Sequence, residues 1–130
     1  MRIGIFAGDG SLPELVEKAR VAEADGFDSF WLPQIFGLDA LCTHTLIGAT
    51  VDRIELGTAV VPTYPRHPAT LAAQALTVSA ASGGRLTLGV GLSHQMVIEN
   101  MFGYSFDKPV RHMREYLTAL VPLCACLLYT

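Results

Sequence analysis

Charged residues are scarce in this sequence, and they include no excess of positive charge. Among 130 residues, 9 are Lys or Arg and 12 are Asp or Glu, which gives a formal net charge of -3. Nucleic-acid binding relies on a concentrated basic surface that neutralises phosphates, so we expect no nucleic acid as a partner. The hydrophobic content of 51% excludes intrinsic disorder, which requires few apolar residues and a high net charge.

Long apolar runs are also missing. The run from Leu120 to Leu128 is about half of the roughly 20 residues that a transmembrane helix needs, so we predict no membrane interaction. The apolar stretch at the N-terminus is interrupted by Gly-Asp-Gly at residues 8–10, too early for the hydrophobic core of a secretory signal. We therefore expect a cytoplasmic protein.

Cysteine is limited to Cys42, Cys124 and Cys126, an odd number without the spacing of a disulfide scaffold. The pair Cys124-x-Cys126 lacks the additional His or Cys ligands of a structural zinc site, so we predict no metal site. The mean hydropathy of +0.39 is high for a lone domain of this size. We therefore expect part of the apolar surface to be covered by protein that this sequence does not contain.

What the sequence does have is a regular alternation of strand-like and helix-like segments. Four β-rich segments are each followed by a helical pattern, and they occupy residues 2–7, 27–32, 54–62 and 85–91. Strands that are apolar on both faces are typical of a parallel sheet covered by helices, which predicts an α/β fold. The residues alone leave open an open doubly wound sheet and the first half of a (β/α)8 barrel.

Three long segments carry a resemblance to a known family. They read ADGFDSFWLPQIFGLDAL at 24–41, RIELGTAVVPTYPRHPATLAAQALTVSAASGGRLTLGVGLSH at 53–94, and KPVRHMREYLTAL at 108–120. Together they resemble the bacterial luciferase-like superfamily, and within it the branch of oxidoreductases that use the deazaflavin coenzyme F420. The resemblance implies a TIM barrel whose active site lies at the C-terminal ends of the strands. This chain would supply its first half, about four β/α units.

The resemblance also implies a function. An F420-dependent oxidoreductase would transfer a hydride between the deazaflavin and a small organic substrate, and the parent protein would be a homodimer. Two alternatives stay open: an FMN-dependent luciferase-like monooxygenase, and a non-catalytic half-barrel that acts by self-assembly. In the family, the phosphate-binding elements for the cofactor lie largely in the second half of the barrel. We therefore expect the chain on its own to be inactive or unstable.

Candidate cofactor contacts follow the second and third strand-like segments. Gln34 aligns with a polar position, often His, that touches the deazaflavin ring in relatives, and an amide can both donate to and accept from that ring. Its alternative role is to fix the following turn. Thr58 lies in the third segment, and the bond between Ala59 and Val60 matches a non-prolyl cis peptide that bulges toward the cofactor's middle ring.

The fourth segment ends in Gly91, Ser93 and His94, where relatives place cofactor-contacting and acid–base residues. A glycine allows close backbone approach, and Ser93 supplies a hydroxyl. His94 is the candidate catalytic residue, because an imidazole can exchange a proton with the atom opposite the hydride near neutral pH. A helix cap is the alternative role for His94.

Location alone adds two further pocket candidates, namely Tyr64 in the loop after the third segment and Gly8 with Asp9 after the first. The other aromatic and histidine side chains are predicted to be structural. These are Phe6, Trp31 and Phe102 as core residues, His67 at a helix start, and His44 and His112 on covering helices.

The C-terminal residues depart from the family pattern. The final five, CLLYT at 126–130, resemble the translation of an adapter used in sequencing libraries. We therefore divide the chain into a half-barrel at residues 1–123 and a predicted non-native tail at 124–130.

Overall fold

The computed structural model describes residues 1–126 as alternating strands and helices, which confirms the α/β class. The elements are β1 (Gly4–Phe6), α1 (Leu12–Ala24), β2 (Ser29–Leu32), α2 (Ala40–Gly48), β3 (Glu55–Thr58), β4 (Val61–Pro62), α3 (Pro68–Ala81), β5 (Leu86–Thr87), β6 (Val90–Gly91), a π-helical turn (Val97–Met101) and α4 (Pro109–Cys126). The predicted tail boundary after residue 123 lies within α4, and residues 127–130 of that tail lie outside the described residues.

A four-stranded parallel sheet forms the centre of the fold. Its strand order is β1-β2-β3-β5, and a helix crosses between each successive pair of strands. The register pairs Phe6 with Trp31, and Trp31 with Gly57. Because all strands run in the same direction, their carboxyl ends meet at one edge of the sheet, which is where sites form in this class of fold.

The third and fourth predicted strands are each divided in two. The predicted strand 54–62 becomes β3 and β4, and the predicted strand 85–91 becomes β5 and β6. The Thr58 hydroxyl donates to the carbonyl oxygen of Gly89 and accepts from its N–H, both over 2.8 Å. These bonds occupy the backbone groups that a continuous ladder would use. Beyond them β4 and β6 form a separate two-stranded parallel sheet.

The two faces of β2 serve different purposes. Phe30 and Leu32 are buried against helices α1 and α2 in the main hydrophobic core. Trp31 points to the opposite face, because side chains alternate along a strand. Its indole Nε1 donates to the Ser29 hydroxyl over 2.8 Å. The ring lies over Gly57 and next to Gly4, since a Cβ at either glycine would overlap it.

Helices α3 and α4 enclose a second core. Tyr116 and Leu120 of α4 are buried with Leu71 and Val78 of α3. The Tyr116 hydroxyl donates to the carbonyl oxygen of Arg66 over 2.9 Å, which attaches α4 to the segment before α3. None of the helices within residues 1–126 has both the length and the apolar character needed to cross a membrane.

Side chains secure the backbone at the amino ends of the strands. The Glu23 carboxylate accepts from the N–H groups of Asp52, Arg53 and Ile54 over 2.7 to 3.1 Å. The Arg85 guanidinium donates to four carbonyl oxygens, those of Gly48, Val51, Ile54 and Ser82, over 2.5 to 3.2 Å. This end of the sheet is therefore closed by charged side chains that bind backbone.

Candidate functional site

A cleft of about 430 Å³ opens at the carboxyl ends of the strands. Its walls are formed by residues at or just after the carboxyl ends of β1, β2, β3 and β6. The π-helical turn contributes as well. The lining residues are Phe6, Pro33, Gln34, Ile35, Phe36, Ala59, Val60, Pro62, Ser93, His94, Val97 and Phe102. The cleft combines an apolar wall with a few polar groups, which is the usual composition of a ligand pocket.

Five of the seven residues that the resemblance assigned to the site line this cleft. They are Gln34, Ala59, Val60, Ser93 and His94. The structure thus brings together residues that are up to 60 positions apart in the sequence. The other two, Thr58 and Gly91, do not line it.

The segment between β3 and β4 enters the cleft through an unusual backbone conformation. The peptide bond between Ala59 and Val60 is cis, as the resemblance implied. The N–H of Ala59 donates to the carbonyl oxygen of Leu32 over 2.9 Å, and the N–H of Gln34 donates to the carbonyl oxygen of Val60 over 3.3 Å. The segment is therefore joined to the end of β2 on both sides of the cis bond, and Val60 remains 43% exposed.

Thr58 and Gly91 support this segment from behind. Thr58 is 1% exposed, and its hydroxyl is occupied by the two bonds to Gly89. A Cβ at Gly91 would lie 2.5 Å from Cγ2 of Val60. Thr58 therefore fixes the backbone at the end of β3. Gly91 has no side chain, and this leaves the space that Val60 occupies.

The side chain of Gln34 is held by its carbonyl end. Oε1 accepts from the N–H of Ala40 over 2.7 Å and lies 3.5 Å from Nη2 of Arg66. Because a backbone N–H can only donate, the atom facing Ala40 has to be the amide oxygen. Gln34 thus fixes the turn before α2, the alternative role considered for it, while it also lines the cleft.

An ion pair between Asp39 and Arg66 stands behind Gln34. Asp39 caps α2 by accepting from the N–H groups of Leu41 and Cys42, both over 2.9 Å. Burial opposes ionisation of this carboxyl, but the N–H of Cys42 and the guanidinium of Arg66 outweigh it and lower the pKa of Asp39. Only 14% of the Arg66 side chain is exposed, so the pair is well shielded from water.

Ser93 and His94 line the cleft just after β6. Ser93 has a φ of 63°, a left-handed conformation that is uncommon for a residue other than glycine. The carbonyl oxygen of His94 accepts from the N–H groups of Val97 and Ile98, both over 3.0 Å, and so starts the π-helical turn. The backbone of His94 therefore caps this turn, and its exposed side chain borders the cleft.

His44 lies on a covering helix with a structural role, as predicted. It is completely buried in α2, where its Nε2–H donates to the carbonyl oxygen of Gly57 over 2.8 Å. Nδ1 is buried and has no hydrogen-bond partner within residues 1–126. Burial is the main cause that lowers the pKa of His44 to about 4, against the opposing bond to Gly57, so the ring is neutral. The helical spacing of His44 from Ala40 and Gly48, both buried, was the signal for this position.

Tyr64, nominated by its location alone, does not line this cleft. Its ring stacks between His112, at a centroid distance of 3.9 Å, and Phe106, at 5.3 Å. His112 also bonds through Nε2 to the hydroxyl of Thr63 over 3.0 Å. Burial lowers the pKa of His112, although Glu115 opposes the shift. This stack attaches α4 to the loop after β4, because His112 lies near the start of that helix and Phe106 lies just before it.

Phe6 and Phe102 differ from the prediction in the opposite direction. They were expected in the core, but they line the cleft and are 58% and 40% exposed. His67 has the predicted structural role: its Nδ1 accepts from the N–H of Ala69 over 3.2 Å at the start of α3.

Gly8 and Asp9 line a neighbouring cavity of about 290 Å³. This cavity shares Pro33, Ile35 and Phe36 with the main cleft, so the two are adjacent. Among the described residues, no group of three or more His, Cys, Asp or Glu side chains is arranged to hold a metal ion.

Comparisons with known proteins agree with this architecture. The sequence profile of the family described as luciferase-like monooxygenase matches residues 1–125. A Mycobacterium tuberculosis protein named as a coenzyme F420-dependent oxidoreductase is 38% identical over 120 residues, which are 90% of this chain and 35% of that protein. The chain thus spans about a third of the length of this relative.

Solved structures show the same fold. The coenzyme F420-dependent tetrahydromethanopterin reductase of Methanopyrus kandleri superposes with a TM-score of 0.71 at 26% identity, over 78% of this chain and 30% of that one. The FMN-containing oxygenating component of a Pseudomonas putida diketocamphane monooxygenase gives a TM-score of 0.80 at 20% identity, over 92% and 38%. The predicted fold, the first four β/α units of a TIM barrel, is confirmed.

Proposed function

The chain belongs to the luciferase-like monooxygenase family, and from this membership we propose that it forms part of an oxidoreductase that uses coenzyme F420. The protein would bind the deazaflavin in the cleft at the carboxyl ends of the strands and act on a small organic substrate. The observation that carries the proposal is the convergence of Gln34, Ala59, Val60, Ser93 and His94 on that one cleft.

The residues of the cleft fit a planar heterocycle. Its volume of about 430 Å³ lies within the range of roughly 300–1,000 Å³ that is usual for small-molecule pockets. Phe6, Val60 and Phe102 present exposed apolar surface, which is favourable to cover with a ring. Gln34, Ser93 and His94 add polar groups at the edges, so a ring could be packed by its face and oriented by its edge.

Each chain residue has a distinct task in this proposal. A bound deazaflavin supplies the hydride chemistry. Ala59 and Val60 support the ring, while Gln34 and Ser93 offer hydrogen bonds to its edge. Gly91 lets Val60 keep its position and Thr58 fixes the backbone behind it. His94 would exchange a proton with the substrate atom opposite the one that exchanges the hydride.

Fluorescence titration of the full-length protein with F420 and with FMN tests the cofactor assignment. We expect F420 to bind and FMN to bind more weakly. Tighter binding of FMN would overturn this choice in favour of an FMN-dependent monooxygenase, the alternative that the fold likeness to the FMN-containing Pseudomonas putida enzyme favours.

His94→Gln tests the catalytic role. We expect kcat to fall by about 10²–10⁴-fold with little change in the Kd of the cofactor, because general acid–base catalysis contributes rate rather than affinity. The matched control is His67→Asn, which changes a histidine outside the cleft and keeps an acceptor at the helix start. Equal kcat values in wild type and His94→Gln would exclude His94 as the proton-transfer group.

Self-assembly of the half-barrel is the non-catalytic alternative. A third cavity, of about 660 Å³ between β1 and α1, exposes apolar surface that includes Ile5, Phe6 and Val21. In this alternative the purified chain would form a single dimeric species with cooperative thermal unfolding. Sedimentation velocity distinguishes it from a monomeric or heterogeneous chain, either of which contradicts assembly as the function.

A further inference from the structure

The amide of Gln34 is oriented by the residues behind it. Its oxygen faces the N–H of Ala40 at 2.7 Å and Nη2 of Arg66 at 3.5 Å. Both partners are donors, so both require an acceptor, and the oxygen is the only acceptor in the side chain. Rotation of the amide by 180° would bring N–H groups against two donors. The carbonyl end is therefore committed to the protein.

Arg66 is itself held in place by further contacts. Its guanidinium is paired with Asp39, which in turn caps α2, and its carbonyl oxygen accepts from the hydroxyl of Tyr116 over 2.9 Å. The side chains of Arg66 and Asp39 are only 14% and 28% exposed. Arg66 and Asp39 thus connect α2, α3 and α4 to one another behind the cleft wall.

From this arrangement we propose that Arg66 and Asp39 are positioning residues that make Gln34 a one-way hydrogen-bond donor to the ligand. Within the Gln34 side chain, the two N–H groups on Nε2 are then the polar groups left to meet a molecule in the cleft. Gln34 then favours a ligand whose ring edge carries a hydrogen-bond acceptor, such as a carbonyl oxygen or an unprotonated ring nitrogen. The inference rests on the proposed function only for the identity of that ligand.

Gln34→Glu separates this role from a purely structural one. A carboxylate still accepts from Ala40 and pairs with Arg66, but it has no N–H to donate. We expect its midpoint of thermal unfolding to equal or exceed that of wild type. The Kd for the cofactor should rise by about tenfold or more, because a ligand acceptor would face a carboxylate oxygen.

Gln34→Met is the matched control, because it keeps the length of the side chain and removes both hydrogen-bonding functions. Without an acceptor for Ala40 and Arg66, we expect its unfolding midpoint to fall by roughly 2–4 °C. If Gln34→Glu and Gln34→Met lose the same stability, the carbonyl end is not held and the orientation of the amide is not fixed.

Both readouts use the full-length protein, with F420 and FMN as the two probes. Binding of a probe by Gln34→Glu as tightly as by wild type overturns the donor role. If wild type binds neither probe, the proposed function fails, whereas the pair of thermal unfolding measurements still supports or overturns the fixed orientation. The two failures are therefore distinguishable.

Discussion

Trp31 lies across Gly57 of the neighbouring strand and fills the space that a side chain at residue 57 would need. The carbonyl oxygen of Gly57 accepts a hydrogen bond from His44, which is buried on the other face of the sheet. Gly57 is thus contacted from both sides, by an indole on the inner face and an imidazole on the helical face. The carboxyl end of β3, which leads into the cleft, is held between these two rings.

Gly57→Ala should therefore destabilise the protein. The added methyl group would overlap the indole of Trp31, and overpacking of this kind costs about 1–3 kcal/mol. The free energy of unfolding of the full-length protein in urea measures the effect. Gly8→Ala is the control: its nearest contact is the exposed ring of Phe6 at 3.2 Å, which can move, so we expect a change within about 0.5 kcal/mol. Similar losses in both variants would contradict the close packing of Trp31.

His44 should make stability depend on pH in a defined window. Its pKa is about 4 in the folded protein and near 6.5 when unfolded, so the unfolded chain binds the additional proton between these values. The contribution of neutral His44 to the free energy of unfolding is complete above pH 6.5. It is lost as the pH falls toward 4, which lowers the free energy of unfolding by up to about 3 kcal/mol. Urea denaturation from pH 4 to 7 of wild type and of His44→Gln, which keeps an N–H donor, isolates this contribution. Parallel curves for the two proteins would refute the assignment.

Glu23→Gln should weaken the amino ends of the strands. Burial opposes ionisation of Glu23, but three backbone N–H groups outweigh it and lower the pKa of the carboxyl. An amide offers one oxygen to these donors and directs an NH₂ group at the others, which we expect to cost about 1–3 kcal/mol. Glu17→Gln on the same helix is the control, since its exposed pair with Arg20 contributes at most about 0.5 kcal/mol. Chemical denaturation at pH 7 measures the free energy of unfolding of both variants. Equal losses of stability would contradict the role given to Glu23.

Gly91→Ala should impair cofactor binding through Val60. The new Cβ would lie 2.5 Å from Cγ2 of Val60 and push that side chain into the cleft. We expect the Kd for F420 to rise by about tenfold, and Gly91→Ala combined with Val60→Ala to recover most of the affinity. The coupling in this double-mutant cycle is the measurement. Additive effects of the two substitutions would show that Gly91 acts independently of Val60.

Much of the fold could be predicted from the sequence, because its strands and helices follow local patterns. The capping residues Ser11 and Glu14, the strand around Phe30 and the proline at the start of α3 all depend on near neighbours in the chain. The division of the third and fourth strands could not be predicted. It depends on hydrogen bonds between Thr58 and Gly89, which are 31 residues apart.

The candidate site shows the same division between local and long-range causes. The resemblance, together with their positions after strands, nominated Gln34 and His94, and strand ends converge in a parallel sheet. Position alone did not place Tyr64 in the cleft, because its ring stacks on His112, which lies 48 residues later in α4. The sequence placed His44 on a covering helix, but it could not show that the carbonyl oxygen of Gly57 is its hydrogen-bond partner across the helix–sheet boundary.

The bonds of Glu23 and Arg85 at the amino ends of the strands have an evolutionary consequence. They secure the backbone with side chains that lie at the opposite end of the sheet from the cleft. Substitutions in the loops after the strands can therefore change what the cleft accepts while these anchors stay intact. Because of this separation, the scaffold tolerates mutation in the loops that line the cleft. New specificities can therefore arise without loss of the fold.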